Sequence, residues 1–493
     1  MRDVIGYEEK DPAITAHLTS GYPRFVVHPL LRRAAVLLQR THPGLAGREI
    51  WLCAGSAVAA ALQAHLGGVG EVVPVAPCLT AFAFPPAVSL ADEEASALSR
   101  RTKHYLQHTG GFASSRAAED WLAERGEIAL AGPVPTPAQG HAAATQVSGV
   151  MAGYFGGGLA AEDVSLTPSG MAATFAAFQA VNAVQATRGR TRWVQLGWLY
   201  LDTIAILQKF TAAPAEDYLH HADVVDLAGL EKLFVAHAGK IAGVLAEVPT
   251  NPLIQTPALP ALAALCRAHG VALVVDPTIA SALNVDVLPH ADVVVNSLTK
   301  YTAGEGDVIL GAAAVNPASP LAAALRPALA AAAALSPVYP RDLVRLAEQI
   351  GAAPGLVASG NAGAARVVEF LRRHANVAEV FWSGHAASAA NYAALARSPE
   401  SVGSMITFTL RPNLALPAFY DRVRIAKGPS FGLSTSLICP FMYLAHYDMV
   451  TTEEGRAELR RNGLNPDLLR LSVGAEPPEE IIAALAEALD ASV

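Results

Sequence analysis

The chain has 493 residues, of which 52% are hydrophobic and 16% are charged, and its formal net charge at pH 7 is −8. This length allows two or three domains, since a single hydrophobic core rarely grows beyond about 250–300 residues. The acidic balance and the lack of a dense Lys/Arg run argue against a nucleic-acid partner. The composition therefore indicates a packed, Ala-rich globular protein and excludes a disordered or fibrous one.

Three further features bear on where the protein works. The segment Met1 to Lys10 carries charges of both signs instead of a basic start and an apolar core, so it does not resemble a secretory signal. The apolar stretch Leu321 to Leu335 contains Arg326 and Pro327 and is shorter than the ~20 residues of a membrane span, which predicts a helical hairpin or core segment. The four cysteines lie far apart, which predicts reduced, mostly buried thiols. We expect a cytoplasmic protein with no membrane partner.

The pattern before Asp163 is weak. Tyr22 to Leu66 predicts helices that precede a short strand. Gly132 to Gly140 is rich in Pro and Gly, which predicts a linker or loop. We expect residues 1–105 to form an N-terminal extension.

From Asp163 onward, short apolar runs alternate with longer Ala/Leu segments, the pattern of strands and crossover helices in a parallel sheet. A helix is predicted over 169–186, and another over Pro257 to His269 because Gly270 follows it as a left-handed cap. Four runs are short enough to be strands buried on both faces of one sheet. These are Arg192 to Leu196, Ile241 to Glu247, Val271 to Val275 and Asp292 to Val295.

After Pro317 the chain changes to long Ala/Leu helices, an alternating strand at Ser404 to Leu410 and a final helix at Glu479 to Leu489. The predicted fold class is α/β. We expect a large, mostly parallel-sheet domain at 106–318 and a smaller α+β C-terminal domain at 319–493.

Polar residues follow three of the predicted strands. Asn251, Asp276 and Lys300 each come after an apolar run, and the carboxyl ends of parallel strands form the ligand-binding edge of an open α/β sheet. Pyridoxal-5′-phosphate (PLP) requires a lysine for an imine, an acid opposite the pyridine nitrogen and a phosphate anchor. The alternatives are a solvated surface lysine at Lys300 and a structural hydrogen bond at Asp276.

A phosphate anchor is predicted in two places. Ser297 and Thr299 carry hydroxyls just before the lysine. Ser169, Gly170 and Met171 open a helix, whose first N–H groups can bind an anion. Because helix-opening turns are common, this signal depends on the residues around it.

Other candidates each have a plain alternative. Arg116 can add a charged fork to the phosphate, from its own or another subunit, or can be a solvated side chain. Tyr200 can stack on the pyridine ring or pack in the core. Arg470, inside an apolar run, can await a carboxylate or form a structural ion pair. His220 and His221 lack the spacing of metal ligands, and no metal is expected.

With these residues in place, the chain resembles the Cys/Met metabolism PLP enzymes, the cystathionine γ-synthase and γ-lyase family of fold-type I. Ser-Arg, Ser-Gly-Met, Tyr, Asn-Pro, Val-Asp-x-Thr, Ser-x-Thr-Lys and Arg-Leu-Ser-Val-Gly occur in the family's order from about Gln107 to the end. The fungal-type cystathionine γ-synthase subgroup is most similar, through Ser20 to Phe25, Asn284 to Pro289, Gly-Pro-Ser-Phe-Gly and Cys-Pro-Phe.

The resemblance implies a role for each candidate. Lys300 would be the Schiff-base lysine and Tyr200 the stacking, catalytic ring. Arg470 and Ser430 would hold the substrate carboxylate. The cofactor-binding set would include Arg116, reaching across the dimer interface, and Asn251, at the ring oxygen or substrate; it comprises Ser169, Gly170, Met171, Asp276, Thr278, Ser297, Thr299, Arg116 and Asn251. A homodimer or homotetramer with shared sites is expected.

The activity implied is γ-replacement on an amino acid with a leaving group at Cγ, with O-acylhomoserine and cysteine giving cystathionine. One alternative is γ-substitution with S-adenosylmethionine and a carbon nucleophile in specialised metabolism. Others are a γ-lyase and a catalytically silent scaffold, against which the intact Lys300 argues. Ser114 where the family has Tyr, and Thr435 where it has Glu, bear on substrate choice.

Overall fold

The computed structural model describes residues 1–18, 26–86 and 92–490. The motif Ser20 to Phe25 therefore lies outside the described residues. The α-helices are α1 Arg2–Glu8, α2 Pro12–Thr15, α3 Pro29–Thr41, α4 Ser56–His65, α5 Asp92–Thr109, α6 Ser115–Ala123, α7 Pro137–Phe155, α8 Gly170–Ala186, α9 Leu201–Lys209, α10 Pro214–Asp217, α11 Leu227–Ala236, α12 Leu259–His269, α13 Ala322–Ala334, α14 Pro340–Gln349, α15 Ala353–Arg373, α16 Ala389–Ala393, α17 Leu416–Arg422, α18 Phe441–Ala445, α19 Tyr447–Val450, α20 Glu453–Arg461 and α21 Pro478–Asp490.

The strands form three sheets. They are β1 Ile50–Cys53, β2 Glu71–Ala76, β3 Leu79–Ala83, β4 Val164–Thr167, β5 Arg192–Leu196, β6 Tyr218–His221, β7 Ile241–Glu247, β8 Ala272–Asp276, β9 Val293–Ser297, β10 Gly311–Val315, β11 Val377–Phe381, β12 Met405–Leu410, β13 Ala426–Lys427, β14 Leu437–Pro440 and β15 Leu469–Ser472. The orders are β1-β3-β2, β4-β10-β9-β8-β7-β5-β6 and β11-β12-β15-β14-β13.

The seven-stranded sheet contains all four strands expected from the apolar runs. β5 to β9 pair in parallel, and β10 runs antiparallel to both of its neighbours. Along β8, Leu273 and Val275 pack into the core on one face, whereas Ala272 and Val274 pack into the core on the other. Helices cover both faces, which explains why these strands are continuously apolar.

The helices that frame the central sheet end where the sequence predicts. α8 begins at Gly170 after its cap Ser169, whose Oγ accepts the N–H of Ala172. α12 ends before Gly270, which adopts the left-handed conformation at φ 65°. The start of α8 lies at the carboxyl edge of the sheet, after β4, whereas the end of α12 lies at the amino edge, before β8.

The five-stranded sheet and its helices form a separate core. The predicted strand at 404–410 and final helix at 479–489 are present as β12 and α21. Phe408 of β12 packs edge-on against Phe419, and both are fully buried. The limits of the three predicted domains stay a prediction.

Two local predictions were wrong, and a third was confirmed in one of its two alternatives. The 321–335 stretch, predicted as a helical hairpin or core segment, is a core segment: α13 is one helix with Pro327 inside it, and its apolar side packs on α8. The 132–140 segment, predicted as a linker or loop from its Pro and Gly residues, contains the start of α7. Thr136 and Gln139 form a capping box there, which begins the helix. Between 22 and 66 the short strand β1 lies between α3 and α4 rather than after the helices.

The cysteines and the apolar helices were both subjects of predictions from the composition. Cys53, Cys266 and Cys439 are buried, Cys78 is partly exposed, and none of the four forms a disulfide within the described residues, which agrees with the prediction for the cysteines. None of the described helices combines the length and the apolar character that crossing a membrane would require. Within the same residues, no group of three or more His, Cys, Asp or Glu side chains is arranged to hold a metal ion.

Candidate active site

The carboxyl ends of β5, β7, β8 and β9 open into one cavity of about 1430 Å³, which the C-terminal part of the chain closes from the other side. All the candidate residues from the sequence contribute to its wall: Arg116, Ser169, Gly170, Met171, Tyr200, Asn251, Asp276, Thr278, Ser297, Thr299, Lys300, Ser430 and Arg470. The structure thus brings together residues up to several hundred positions apart.

Lys300 lies in the loop that follows β9, with its side chain buried in the cavity. Its Nζ donates to Ser430 Oγ at 3.2 Å and lies 4.9 Å from the centre of the Phe431 ring. An ammonium over an aromatic face is stabilised by the ring quadrupole. The amine is therefore held inside the cavity by two residues of the C-terminal part, of which sequence reasoning missed Phe431.

Asp276 ends β8, and its carboxylate has defined partners. Its Oδ1 accepts the backbone N–H of Thr278 at 2.8 Å and also the Thr278 hydroxyl. Burial raises the pKa of Asp276 to about 6, against the opposing effect of the Thr278 hydrogen bonds. A cation placed beside this carboxylate would favour its ionised form, as a protonated pyridine nitrogen would.

Thr278 in turn joins β8 to β9. Its Oγ1 accepts the N–H of Ser297 at 2.9 Å and lies 3.3 Å from Asn296 Nδ2. One hydroxyl therefore fixes the Asp276 carboxylate relative to the strand that leads to Lys300.

A second feature of the cavity wall is the N-terminus of α8. The N–H groups of Gly170 and Met171 are the first of the helix, where no intrahelical carbonyl can reach them. A Cβ on Gly170 would lie 2.7 Å from Ser297 Cβ, so glycine allows the helix to start against β9. The arrangement suits a phosphate, because it combines a helix N-terminus with the nearby hydroxyl of Ser297.

Thr299 has a structural partner. Its Oγ1 accepts the N–H of Leu310 at 3.3 Å and lies 3.4 Å from the Leu310 carbonyl. The hydroxyl thus ties the Lys300 loop to the start of β10, and its donation to a phosphate remains a prediction.

Arg116 lies near the start of α6, with its guanidinium held by two aspartates of the same chain. It donates to Asp342 Oδ1 at 2.9 Å, to the Asp307 carbonyl at 2.9 Å and to Asp307 Oδ2 at 3.4 Å. Burial raises the pKa of Asp342, and Ser114 and Arg116 oppose that shift. The reach of Arg116 to a phosphate of another subunit stays a prediction.

Arg470 lies on β15 and is buried. Its guanidinium donates to Asn251 Oδ1 at 3.3 Å, to the Ser430 carbonyl at 3.4 Å and to the Pro429 carbonyl. It lies 5.4 Å from the centre of the Phe431 ring, the same ring that the Lys300 amine contacts. Both cations therefore contact the Phe431 ring, and Arg470 also lies 4.8 Å from the centre of the Phe441 ring.

Tyr200 and Glu247 are coupled through the backbone. Tyr200 is the residue before α9, and its N–H donates to Glu247 Oε1 at 2.6 Å. Glu247 lines the cavity at the end of β7, and burial raises its pKa well above the usual range, with the Asp276 charge adding to the shift. Sequence reasoning missed Glu247, although it ends an apolar run as Asp276 does.

A second set of polar residues that sequence reasoning missed links α5 to α9. Asp202 Oδ1 accepts from Gln107 Nε2 at 2.7 Å and contacts His108 Nδ1 at 3.0 Å, while His108 Nε2 lies 3.1 Å from Lys209 Nζ. Asp202 and Gln107 line the cavity. The sequence feature that could have revealed this set is Asp202, a charged residue in an otherwise apolar stretch.

The sheet order and the solved structures with the same architecture define the class of protein: it is a PLP-dependent enzyme of fold-type I. The chain belongs to the Cys/Met metabolism PLP-dependent enzyme family, whose sequence model matches residues 159–490. The resemblance from sequence and the expected cofactor are thereby confirmed, and the scaffold alternative is disfavoured because the relatives are enzymes.

Two curated relatives show the similarity. The L-2-amino-4-chloropent-4-enoate dechlorinase/desaturase of Streptantibioticus cattleyicolor is 40% identical over 99% of this chain and 94% of that protein. The cystathionine gamma-synthase of Neurospora crassa is 33% identical over 66% of this chain and 52% of that protein.

Among solved structures, the cystathionine gamma synthase of Xanthomonas oryzae pv. oryzae, in complex with aminoacrylate and cysteine, has a TM-score of 0.60. It is 26% identical, and the match covers 72% of this chain and 88% of that one.

Proposed function

We propose that this enzyme eliminates a halide from Cγ of an unsaturated L-amino acid of the 2-amino-4-chloropent-4-enoate class. One observation carries the proposal. The similarity to the Streptantibioticus dechlorinase/desaturase runs through 99% of the chain, including the part before residue 159 that the family's sequence model leaves out. The γ-replacement expected from the sequence becomes the second candidate.

In this proposal the cavity binds the carboxylate of the amino acid on one side and places its Cα and Cβ near Lys300 on the other. Arg470 would bind the carboxylate through its planar fork, with Ser430 and Asn251 beside it. Lys300 would hold the cofactor in the resting enzyme. When the substrate displaces it, the freed amine would lie close to the substrate, where it would move protons at Cα and Cβ.

PLP, when bound, supplies an electron sink for the negative charge that develops on the substrate carbons. Asp276 would keep the ring nitrogen protonated, the N-terminus of α8 with Ser297 would hold the phosphate, and Tyr200 would cover the ring. Chloride leaves Cγ with its bonding electrons, and the enzyme removes one proton. The product is therefore the substrate less HCl, with one more carbon–carbon unsaturation.

The second candidate, cystathionine formation from O-acylhomoserine and cysteine, is favoured by a specific likeness. The Neurospora relative carries that activity in its name, and the Xanthomonas neighbour was solved with cysteine. The same proton transfers at Cα and Cβ would serve it. The cytoplasmic location and the homo-oligomer predicted from the sequence stay part of this proposal.

Product identification tests the proposal. We expect the PLP-loaded enzyme to release chloride from L-2-amino-4-chloropent-4-enoate without cysteine, and to give a product lighter by HCl in the mass spectrum. O-succinylhomoserine, O-acetylhomoserine and S-adenosylmethionine, each with and without cysteine, serve as comparison substrates. Cystathionine from an acylhomoserine with no chloride release from the chloro amino acid would replace the first candidate by the second.

A further inference from the structure

Glu247 has a buried carboxyl group with only one of its oxygens engaged. The residue is 4% exposed. Backbone N–H groups of Tyr200 and Asn251 bond to the carboxyl, the former at Oε1. Its Oε2 is buried and has no hydrogen-bond partner among residues 1–18, 26–86 and 92–490. A buried carboxylate oxygen without a partner is costly, whereas a protonated one carries no charge.

The neighbouring strand places a second carboxyl beside it. Glu247 and Asp276 are the last residues of β7 and β8 and are paired in register. Neighbouring strands lie about 4.8 Å apart, and side chains at paired positions point to the same face of a sheet. Two ionised carboxylates at such positions repel one another, so the pair favours one proton.

The partners of the two groups decide which of them carries it. Asp276 accepts two hydrogen bonds from Thr278 and is partly open to the cavity, where a cation can approach. Glu247 is more deeply buried, and its Oε2 has no hydrogen-bond partner within the described part of the chain. Burial accordingly raises the pKa of Glu247 well above its usual range and that of Asp276 to about 6.

We propose that Glu247 carries a proton at neutral pH and acts as a neutral positioning residue, leaving Asp276 as the single negative charge of the pair. Through Oε1 it fixes the backbone of Tyr200, the ring expected to cover the cofactor. This inference rests on the proposed position of the cofactor beside Asp276. An ionised Glu247 would instead place two negative charges beside one pyridinium.

The test compares Glu247→Gln with the unaltered protein, because glutamine keeps the shape, one acceptor and one donor but cannot ionise. The first measurement is the unfolding equilibrium of the cofactor-free protein against pH. A carboxyl whose pKa is raised in the folded state stabilises below its unfolded pKa of about 4.3, and this stability is lost as pH rises toward the folded pKa. Glutamine has no such loss.

We therefore expect the stability of Glu247→Gln relative to the unaltered protein to increase between pH 5 and pH 8, by about fiftyfold or more in the unfolding constant, since a carboxyl that keeps its proton at neutral pH loses about tenfold for each pH unit between pH 5 and pH 7. The matched control is Glu231→Gln, at an exposed position of α11, which should show no change with pH. A relative stability of Glu247→Gln that is flat or falls with pH would overturn the inference.

A second measurement uses the loaded enzyme. If Glu247 is already neutral, Glu247→Gln should leave the pH midpoint of the bound cofactor's visible spectrum unchanged, whereas removal of an ionised neighbour should shift it by about a unit. A shifted midpoint would also contradict the inference. Failure of PLP to bind either protein would reject the proposed function, while the measurement on the cofactor-free protein would still show whether Glu247 is protonated.

Discussion

Lys300→Ala is expected to reduce turnover by about 10²–10⁴-fold, the contribution typical of a positioned proton-transfer group, and to abolish the visible band of bound PLP. The amine is buried in the cavity and held by Ser430 and by the Phe431 ring. Alanine leaves no nitrogen to attach the cofactor or to move a proton. Turnover of the chloro amino acid and the absorbance spectrum after addition of PLP measure the two effects.

The control for this variant is Lys232→Ala, since Lys232 is exposed on α11, far from the cavity wall. It should bind PLP and turn over substrate as the unaltered protein does. Full activity of Lys300→Ala would remove the residue from the mechanism.

Arg470→Leu is expected to lower kcat/KM by about 30-fold to several thousandfold, which corresponds to the about 2–5 kcal/mol lost when one partner of a buried charge pair is removed. Most of the change should appear in KM, because the residue is proposed to bind the carboxylate in both the ground state and the transition state. Arg470→Lys keeps the charge but not the planar fork, so an intermediate loss is expected. Steady-state kinetics with the chloro amino acid provide the measurement.

The alternative from the sequence, a structural role for Arg470, has a different signature. It would lower the melting temperature of the protein and leave KM unchanged in the fraction that folds. Arg411→Leu, at an exposed position just after β12, is the matched control for the loss of an arginine.

The sequence allowed the central part of the molecule to be predicted because its signals are local. The continuous apolar runs of β5 and β7 have the predicted ends, and Ser169 and Gly270 mark the ends of their helices. The polar residues after each strand could be assigned to one edge because parallel strands share a direction. The convergence of these residues in one cavity follows from that rule.

What could not be predicted depends on tertiary contacts. Nothing in the sequence pairs Thr299 with Leu310 or Arg116 with Asp307 and Asp342, since these partners come together only when distant elements pack. The contacts of Phe431 with Lys300 and Arg470 depend on how the C-terminal sheet meets the central one.

The N-terminal sheet was missed for a related reason. β2 contains no fully buried residue and its alternation is incomplete, so its pairing with β3 is visible only in the folded chain.

We propose that PLP is attached to Lys300 in the cavity beside Asp276. The most direct measurement is reduction of the loaded, unaltered enzyme with borohydride, followed by proteolysis and mass spectrometry of the peptides. The pyridoxyl group should be found on the peptide that contains Lys300 and on that residue. A label on Lys427, which also lines the cavity, or no label on any lysine, would contradict the attachment of PLP to Lys300.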